Sequence, residues 1–225
     1  MNKRAIGIAF LLVASSLLVS CQSHTRTSTL LADNLCKPPC WKAITPGQST
    51  RQEVLAQLAS LPEVKVDSIT ENHVNEHQNN VWSDFTQEVA EVGVRVYFDD
   101  QIALATEFDA RDAITVAQVI EKTGEPEWSF AKSGCADTRW LSIGLLNRTR
   151  GIYIEYFDSF LQRDEKAEIS PDNPVFSVTY FEPSLYDKVL NSYIILDATD
   201  DPITFSKSLK PWSGYGEVAY LDICR

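Results

Sequence analysis

Residues 50–62, TRQEVLAQLASLP, and residues 115–126, TVAQVIEKTGEP, are the two stretches that decide the fold. Each opens with a threonine that is followed three residues later by Glu53 or Gln118. This is the capping-box pattern, in which the threonine hydroxyl accepts from a helical N–H and the later side chain reaches back. Apolar residues then recur at helical spacing, and a proline ends each stretch. The pattern predicts two short amphipathic helices, which are either unrelated or copies of one unit.

Strand-like sequence follows each predicted helix. Residues 94–98 and 102–108 flank a turn-forming acidic tip at residues 99–101, which predicts a hairpin. Residues 158–173 are charged and contain a proline, so they predict a loop. The other predicted strands are residues 139–146, 152–157, 175–181, 193–196 and 218–224. Because an amphipathic helix buries its stripe against a sheet face, we expect an α+β fold of two helix-plus-antiparallel-sheet repeats, each helix packed on a sheet face.

The residues around the first helix resemble a recurring phrase of the BamE/SmpA group of envelope lipoproteins. In that phrase an isoleucine, a glycine turn, a threonine at the helix start and a buried valine follow one another. Ile44, Gly47, Thr50 and Val54 match it here. The phrase ends with Gly-x-Pro, from which the first copy departs at Leu61.

The second copy matches the end of the same phrase, through Gly124 and Pro126. Two copies in tandem are similar to the architecture of the β-lactamase inhibitory protein, in which two helix-on-sheet units form one concave binding sheet. We place the first α+β repeat at residues 36–110 and the second at residues 111–225. The resemblance implies a protein that binds another protein.

Residues 1–21, MNKRAIGIAFLLVASSLLVSC, have the layout of an export signal. Lys3 and Arg4 precede a mostly apolar run, which is long enough for a secretory signal and short for a membrane-spanning helix. The closing Leu-Val-Ser-Cys resembles the lipobox of bacterial lipoproteins, which implies cleavage before Cys21 and acylation of that cysteine. The alternative is an uncleaved signal anchor with an incidental cysteine.

Lipidation of Cys21 would attach the protein to a membrane, because two or three acyl groups give stable anchoring and a single acyl group does not. Gln22 rather than an aspartate follows the cysteine. The resemblance therefore implies the outer membrane, facing the periplasm, in a Gram-negative cell, and otherwise the outer face of the plasma membrane. We expect residues 1–20 to be the signal peptide and residues 21–35 to be the lipidated cysteine and a flexible polar tether.

The charge of the chain argues against nucleic acid as a partner. Residues 1–20 hold two cations and no anions, so the mature chain carries 18 Lys and Arg against 31 Asp and Glu, a formal net charge of −13. Such a body is repelled by nucleic acid and by anionic lipid. We therefore expect contact with the membrane through the lipid on Cys21 alone.

Four cysteines remain once Cys21 is assigned to lipid, and an even number in an oxidising compartment predicts two disulfides. Of the three connectivities we favour Cys36–Cys40, which is close in sequence, and Cys135–Cys224. The second bond would close a long loop and contribute about 4 kcal/mol on the loop-entropy model. The four cysteines lack the paired spacing of a zinc site.

His73, Glu76 and His77 match the H-x-x-E-H pattern of inverted zinc peptidases. On a helix the two histidines would share a face, with the glutamate placed as general base. The surrounding residues are polar and offer no apolar stripe to dock such a helix. We therefore interpret residues 71–80 as a polar loop between strands, and we predict neither a catalytic nor a metal site.

Other chemistry is weakly represented in the sequence. It has neither a Gly-x-Ser-x-Gly elbow nor a glycine-rich phosphate loop, and its paired carboxylates fall at predicted turns and loops. The five tryptophans, with the Trp212–Gly216 segment among them, supply either core packing or an aromatic recognition surface.

We therefore expect a non-enzymatic, lipid-anchored envelope protein that uses no cofactor and binds another envelope protein, in support of outer-membrane assembly or maintenance. Two alternatives stay open. One is an anchored inhibitor or binder of a secreted enzyme, and the weaker one is a zinc-dependent hydrolase.

Overall fold

The computed structural model describes residues 36–62, 64–75, 78–86, 91–110, 114–135, 139–158, 167–192, 194–196, 201–218 and 221–222. Helices and antiparallel strands are mixed along the chain, which confirms the α+β class. The helices in these ranges are α1 (Arg51–Ser60), α2 (Val116–Thr123), α3 (Tyr186–Asn191) and α4 (Pro202–Ser208).

Groups of strands separate these helices in chain order, except that α4 follows α3 directly. They are β1 (Thr70–Asn75), β2 (Gln78–Thr86), β3 (Glu91–Asp99), β4 (Ile102–Asp109), β5 (Trp128–Cys135), β6 (Arg139–Asn147), β7 (Ile152–Asp158), β8 (Ala167–Ile169), β9 (Ser177–Phe181), β10 (Lys210–Pro211), β11 (Gly216–Val218) and β12 (Leu221–Asp222).

One large sheet collects most of the strands, in the order β1-β2-β3-β4-β9-β7-β6-β5-β10. The pairs along this path are antiparallel, and β12 adds a short parallel pair to β5. The meander β1–β4 and the strands β5, β6, β7 and β9 meet where β4 pairs with β9. β8 and β11 form a separate two-stranded sheet.

Both predicted capping boxes are present. In α1 the Thr50 side chain accepts from the Glu53 N–H, and Glu53 Oε2 accepts from the Thr50 N–H at 2.8 Å. In α2 the Thr115 side chain accepts from the Gln118 N–H, and Gln118 Oε1 accepts from the Thr115 N–H at 2.9 Å. The two helices therefore begin at the residues that the sequence indicates.

The apolar stripes of α1 and α2 pack on the same face of the sheet, which we call the first face. Val54 and Leu58 of α1 and Val116 and Val119 of α2 are fully buried, and they belong to one hydrophobic cluster. Strand side chains from both halves of the sheet complete that cluster, among them Val94, Val96, Leu141, Ile143 and Ile154. Burial of a side chain of this size contributes about 1.5–3 kcal/mol, so this layer is the principal core.

The opposite face, which we call the second face, is covered in part by α3 and α4. Tyr186, Val189 and Phe205 from these helices pack against sheet side chains in a second cluster. Within that cluster the Phe130 and Tyr153 rings stack at 6.1 Å, directly over Gly144. A Cβ at residue 144 would lie 2.0 Å from the Phe130 ring, so only glycine fits there.

A disulfide joins Cys36 to Cys40 at the start of the described chain. The next residue, Trp41, is buried, and its ring meets that of Phe108 edge to face at 5.0 Å. Trp41 and Ile44 exchange two backbone hydrogen bonds, which close a tight turn. The segment before α1 is thereby fixed to the core.

The predicted hairpin is confirmed as β3 and β4, and the strands near residues 139–146, 152–157 and 175–181 are confirmed as β6, β7 and β9. Three other predictions are wrong. Residues 71–80, expected as a loop, contribute to β1 and β2, because backbone pairing at a sheet edge forms a strand without an apolar pattern. Residues 167–169, inside the second expected loop, form β8.

The third wrong prediction is a strand at residues 193–196. Residues 194–196 bend after α3, and this bend buries Ile195 and Leu196 in the second cluster. An irregular segment whose apolar residues are buried in a core has the same composition as a short strand, so the sequence alone does not distinguish the two.

Candidate functional site

Arg95, Tyr97 and Glu107 form a polar cluster on the second face, where Tyr97 is buried within the second hydrophobic cluster and the Arg95 side chain is partly exposed. Arg95 and Tyr97 are two residues apart in β3 and so share a face, and Glu107 of β4 is the direct cross-strand partner of Arg95. The Tyr97 hydroxyl donates to Glu107 Oε2 at 2.5 Å, and Arg95 Nη1 donates to the Tyr97 hydroxyl at 3.0 Å. Arg95 Nη1 also lies 3.5 Å from Glu107 Oε2.

Burial controls the electrostatics of this cluster. It raises the pKa of the Glu107 carboxyl above its ordinary value, although the Tyr97 hydroxyl and the Arg95 charge act in the opposite direction. Burial and the Glu107 charge also raise the pKa of the Tyr97 hydroxyl. The cluster therefore holds its protons firmly, and it presents an Arg95 side chain that is 38% exposed.

A cross-strand row carries this cluster into the other half of the sheet. Glu107 faces Thr179 of β9, and Thr179 faces Tyr153 of β7. Glu155 lies two residues after Tyr153 in β7 and Phe157 two residues after Glu155, so all three side chains are on the same face. The polar cluster and Phe157 therefore lie on one face of one continuous sheet.

Phe157 and Phe176 form an aromatic pair at the end of β7. Each residue is 38% exposed, and their rings meet edge to face at 4.6 Å. Edge-to-face pairs of this kind contribute about 0.5–1.5 kcal/mol beyond burial. Partly exposed aromatic residues and arginines are typical of protein interfaces, and this pair shares its sheet face with Arg95.

Ser142 and Glu155, a serine and a carboxylate on this face, are hydrogen-bonded to each other. Ser142 Oγ donates to Glu155 Oε1 at 2.7 Å, and the Ser142 residue is fully buried. A hydroxyl in this position satisfies a carboxylate in the sheet. The arrangement lacks the reachable nucleophile that acyl transfer needs.

The predicted cysteine sites are only partly within the described chain. Cys36 and Cys40 are bonded to each other. The backbone of Cys135 ends β5. Cys21 and Cys224 lie outside the described residues, so lipidation and the Cys135–Cys224 bond stay predictions.

The H-x-x-E-H motif begins in a strand. His73 lies within β1, paired with Asn79 of β2, so its backbone is extended and not helical. Glu76 and His77 lie outside the described residues. Across the described ranges, His, Cys, Asp and Glu do not gather in threes where a metal ion could be held.

The acidic residues at turns have local roles. Lys188 of α3 binds the Asp99 carboxylate at the tip of the β3–β4 hairpin. The Asp201 carboxylate caps α4 by accepting from the Thr204 N–H at 2.9 Å, and this bonding lowers the pKa of Asp201. These carboxylates hold elements in place.

An open depression of about 420 Å³ lies between α1 and the segment that precedes it. Glu53 and Gln57 of α1 line it together with residues of the segment 43–49. The Glu53 carboxylate already accepts from Thr50 twice, at 2.8 and 2.9 Å. Its acidic group is therefore occupied in capping the helix.

Among the helices of the described ranges, each is too short or too polar to cross a membrane.

Comparison of the chain with protein-family models, with curated proteins and with solved structures finds no match.

None of the five residues of this face was predicted from the sequence as a site residue: Arg95, Tyr97, Glu107, Phe157 and Phe176. The alternation of charged and apolar residues in β3 and β4 was a usable signal, since Arg95 and Glu107 interrupt otherwise apolar strands. The β4–β9 pairing, which places both groups on one face, joins residues about 70 positions apart and has no local signature.

Proposed function

We propose that the chain is built from two tandem helix-plus-sheet repeats. In the first half, an isolated antiparallel bridge between Thr50 and Ile102 ties the start of α1 to the start of β4. The hydrogen bonds that flank this bridge are Arg51 N to Gln101 O at 2.7 Å and Ala103 N to Ser49 O at 2.8 Å.

The second half repeats this arrangement with the same offsets. A bridge between Thr115 and Pro174 ties the start of α2 to the residues before β9. Its flanking bonds are Val116 N to Asn173 O at 3.0 Å and Val175 N to Ile114 O at 2.9 Å. In both halves the capping threonine bridges to the chain at or just before β4 or β9, the two strands that join the halves of the sheet, and this shared placement supports duplication of one unit.

We further propose that the protein is a non-enzymatic, lipid-anchored envelope protein that binds another envelope protein through the second face. The observation that carries this proposal is the combination of Arg95, held by Tyr97 and Glu107, with the Phe157–Phe176 pair on one continuous sheet face. Arginine and aromatic side chains fixed in place cost little entropy on binding and supply most interface energy. The export signal and Cys21 supply the location.

Recovery of the partner tests this proposal. The mature chain with a C-terminal affinity tag would be crosslinked in native envelopes and purified, beside an Arg95→Ala/Phe157→Ala variant and an Ile203→Ala control on α4. We expect an envelope protein in the wild-type and control samples, reduced at least tenfold in the double variant. Outer-membrane assembly components would support the assembly role, and a soluble hydrolase would support the inhibitor alternative.

Anchoring is tested separately. Cells grown with radioactive palmitate should label the wild-type protein and not a Cys21→Ser variant, and the variant should leave the membrane fraction. Equal labelling of both proteins would refute lipidation at Cys21.

A further inference from the structure

Trp212 and Tyr215 form a right-angled aromatic corner at the far end of the sheet from β1. They lie in the segment between β10 and β11, and their ring centroids are 5.8 Å apart with an interplanar angle of 84°. Trp212 is partly buried against the first-face cluster, whereas Tyr215 is 45% exposed. One wall of the corner is therefore fixed to the core and the other reaches into solvent.

Backbone contacts position this segment. The Trp212 N–H donates to the Glu127 carbonyl at 2.9 Å, which ties the segment to the start of β5. Gly214 and Gly216 have φ values of 94° and 129°, in the region that favours glycine, and a Cβ at either position would meet nothing within 4 Å. The positions that a Cβ would take at these two glycines are thus unfilled.

Glu125 lies two residues before Glu127, whose carbonyl accepts from the Trp212 N–H at 2.9 Å, so the backbone brings an acidic residue close to this segment. Glu125 is exposed, and burial together with the Glu125 charge raises the pKa of the Tyr215 hydroxyl. The cation Arg150 lies beside Gly124 and donates through Nη1 to the Thr123 carbonyl at 2.6 Å.

We propose that Trp212, Tyr215 and Glu125 form a recognition site for a basic side chain, a lysine or arginine, of the envelope partner. The inference rests on the proposed protein-binding function and names the chemistry of its partner. Two aromatic faces at a right angle, with a carboxylate beside them, are the arrangement in which a cation gains both cation–π and ionic attraction. The mature chain also carries 18 cationic against 31 anionic side chains, which steers cations toward it.

The angle between the rings decides against a carbohydrate partner. A sugar ring stacks on a flat aromatic face, and an 84° corner offers it one face only. A compact cation can contact both rings at once.

A titration of the full mature lipoprotein in detergent micelles tests the site. The protein would be labelled with ¹⁵N at the tryptophan indoles, and the Trp212 signal assigned from a Trp212→Phe variant. The probe is N-acetyl-lysine methylamide at constant ionic strength, with N-acetyl-norleucine methylamide as the uncharged match. We expect a saturable shift of the Trp212 signal with the lysine compound and none with norleucine.

Variants assign the contribution of each group. Tyr215→Ala should abolish the shift, Tyr215→Phe should keep it, and Glu125→Gln should weaken binding by about fivefold, in line with an exposed charge contact. Asp172→Asn, which removes one exposed charge from a turn elsewhere, should leave the affinity unchanged. The other tryptophan signals report whether each variant is folded.

Three outcomes would overturn the proposal: no shift with lysine, an equal shift with norleucine, or a shift with N,N′-diacetylchitobiose alone, which would indicate a carbohydrate site. The probes are small compounds, so this result is independent of whether a partner is recovered from envelopes. A lysine shift without a recovered partner would refute the proposed function and not the site.

Discussion

The guanidinium of Arg150 closes the C-terminal end of α2 by donating from Nη1 to the Thr123 carbonyl at 2.6 Å. This contact crosses the space beside Gly124, where a Cβ would lie 2.0 Å from Nη1. Gly124 also has a φ of 88° and a ψ of 168°, a conformation that is essentially restricted to glycine. Two features therefore require glycine at residue 124 of the Gly-x-Pro ending. One is its backbone conformation, and the other is the close approach of Arg150 from the β6–β7 turn.

Gly124→Ala should lower the free energy of unfolding through backbone strain and through the clash with Arg150. Gly214→Ala is the matched control, because residue 214 also has a positive φ and a Cβ there meets nothing. Because the clashing atoms are the mobile end of the Arg150 side chain, which can move away at the cost of its hydrogen bond to Thr123, we expect Gly124→Ala to be more destabilising by about 1 kcal/mol in urea unfolding. In a background that also carries Arg150→Ala, the difference in free energy of unfolding between the two glycine variants should be smaller. Equal losses of stability for Gly124→Ala and Gly214→Ala would contradict the account.

The capping threonines should contribute similarly to stability. Thr50→Ala and Thr115→Ala each remove the acceptor for a helical N–H, so each should lower the free energy of unfolding by about 1 kcal/mol. Thr50→Ser and Thr115→Ser retain the hydroxyl and should lose much less. Urea unfolding checks this, and serine variants as unstable as the alanine variants would show that the hydrogen bond is not the cause.

The sequence was sufficient for elements whose signals are local. The capping boxes at Thr50 and Thr115 and the hairpin with its tip at Asp99 each depend on a few adjacent residues, and the structure has all three. The polar strand β1 was missed because its pairing uses backbone groups and needs no apolar alternation. Helix α3 was missed because six residues are too few to display a helical period.

The candidate site was not predictable from the sequence. Arg95 and Glu107 become neighbours through the hairpin, which was expected, but nothing local shows that they are buried together with Tyr97. Phe157 joins the same face through the order β4-β9-β7, which depends on long-range strand pairing.

Stability should depend on pH through Glu107. Burial raises the pKa of this carboxyl, so the folded chain binds its proton more tightly than the unfolded chain does. The contribution of Glu107 to stability is then fully present below the pKa of the unfolded chain and is lost as the pH rises through the folded pKa.

Glu107→Gln does not titrate and keeps an acceptor for Tyr97, so its stability relative to wild type should increase as the pH is raised from 4 to about 8. Urea unfolding at several pH values measures this, with Glu121→Gln, at an exposed position of α2, as the control for net charge. A relative stability that decreases with pH would show that the Arg95 charge outweighs burial.

Peptide mapping without reduction should recover two disulfide-linked species. One contains Cys36 joined to Cys40, as in the structure, and the other contains Cys135 joined to Cys224. Reduction should separate the second species into two peptides and add the mass of two hydrogens to the first, and the intact mass before reduction should show no free thiol. A species that joins Cys36 to Cys135 would contradict the predicted pairing.

The most direct test of a protein-binding second face is site-specific photocrosslinking in living cells. A photoreactive phenylalanine analogue would replace Phe157 in the aromatic pair, and Ile203, which is 64% exposed on α4, in a control. We predict a discrete crosslinked envelope protein from position 157, lost when Arg95→Ala is added, and no such product from position 203. Equal products from both positions, or none from position 157, would contradict the proposed binding face.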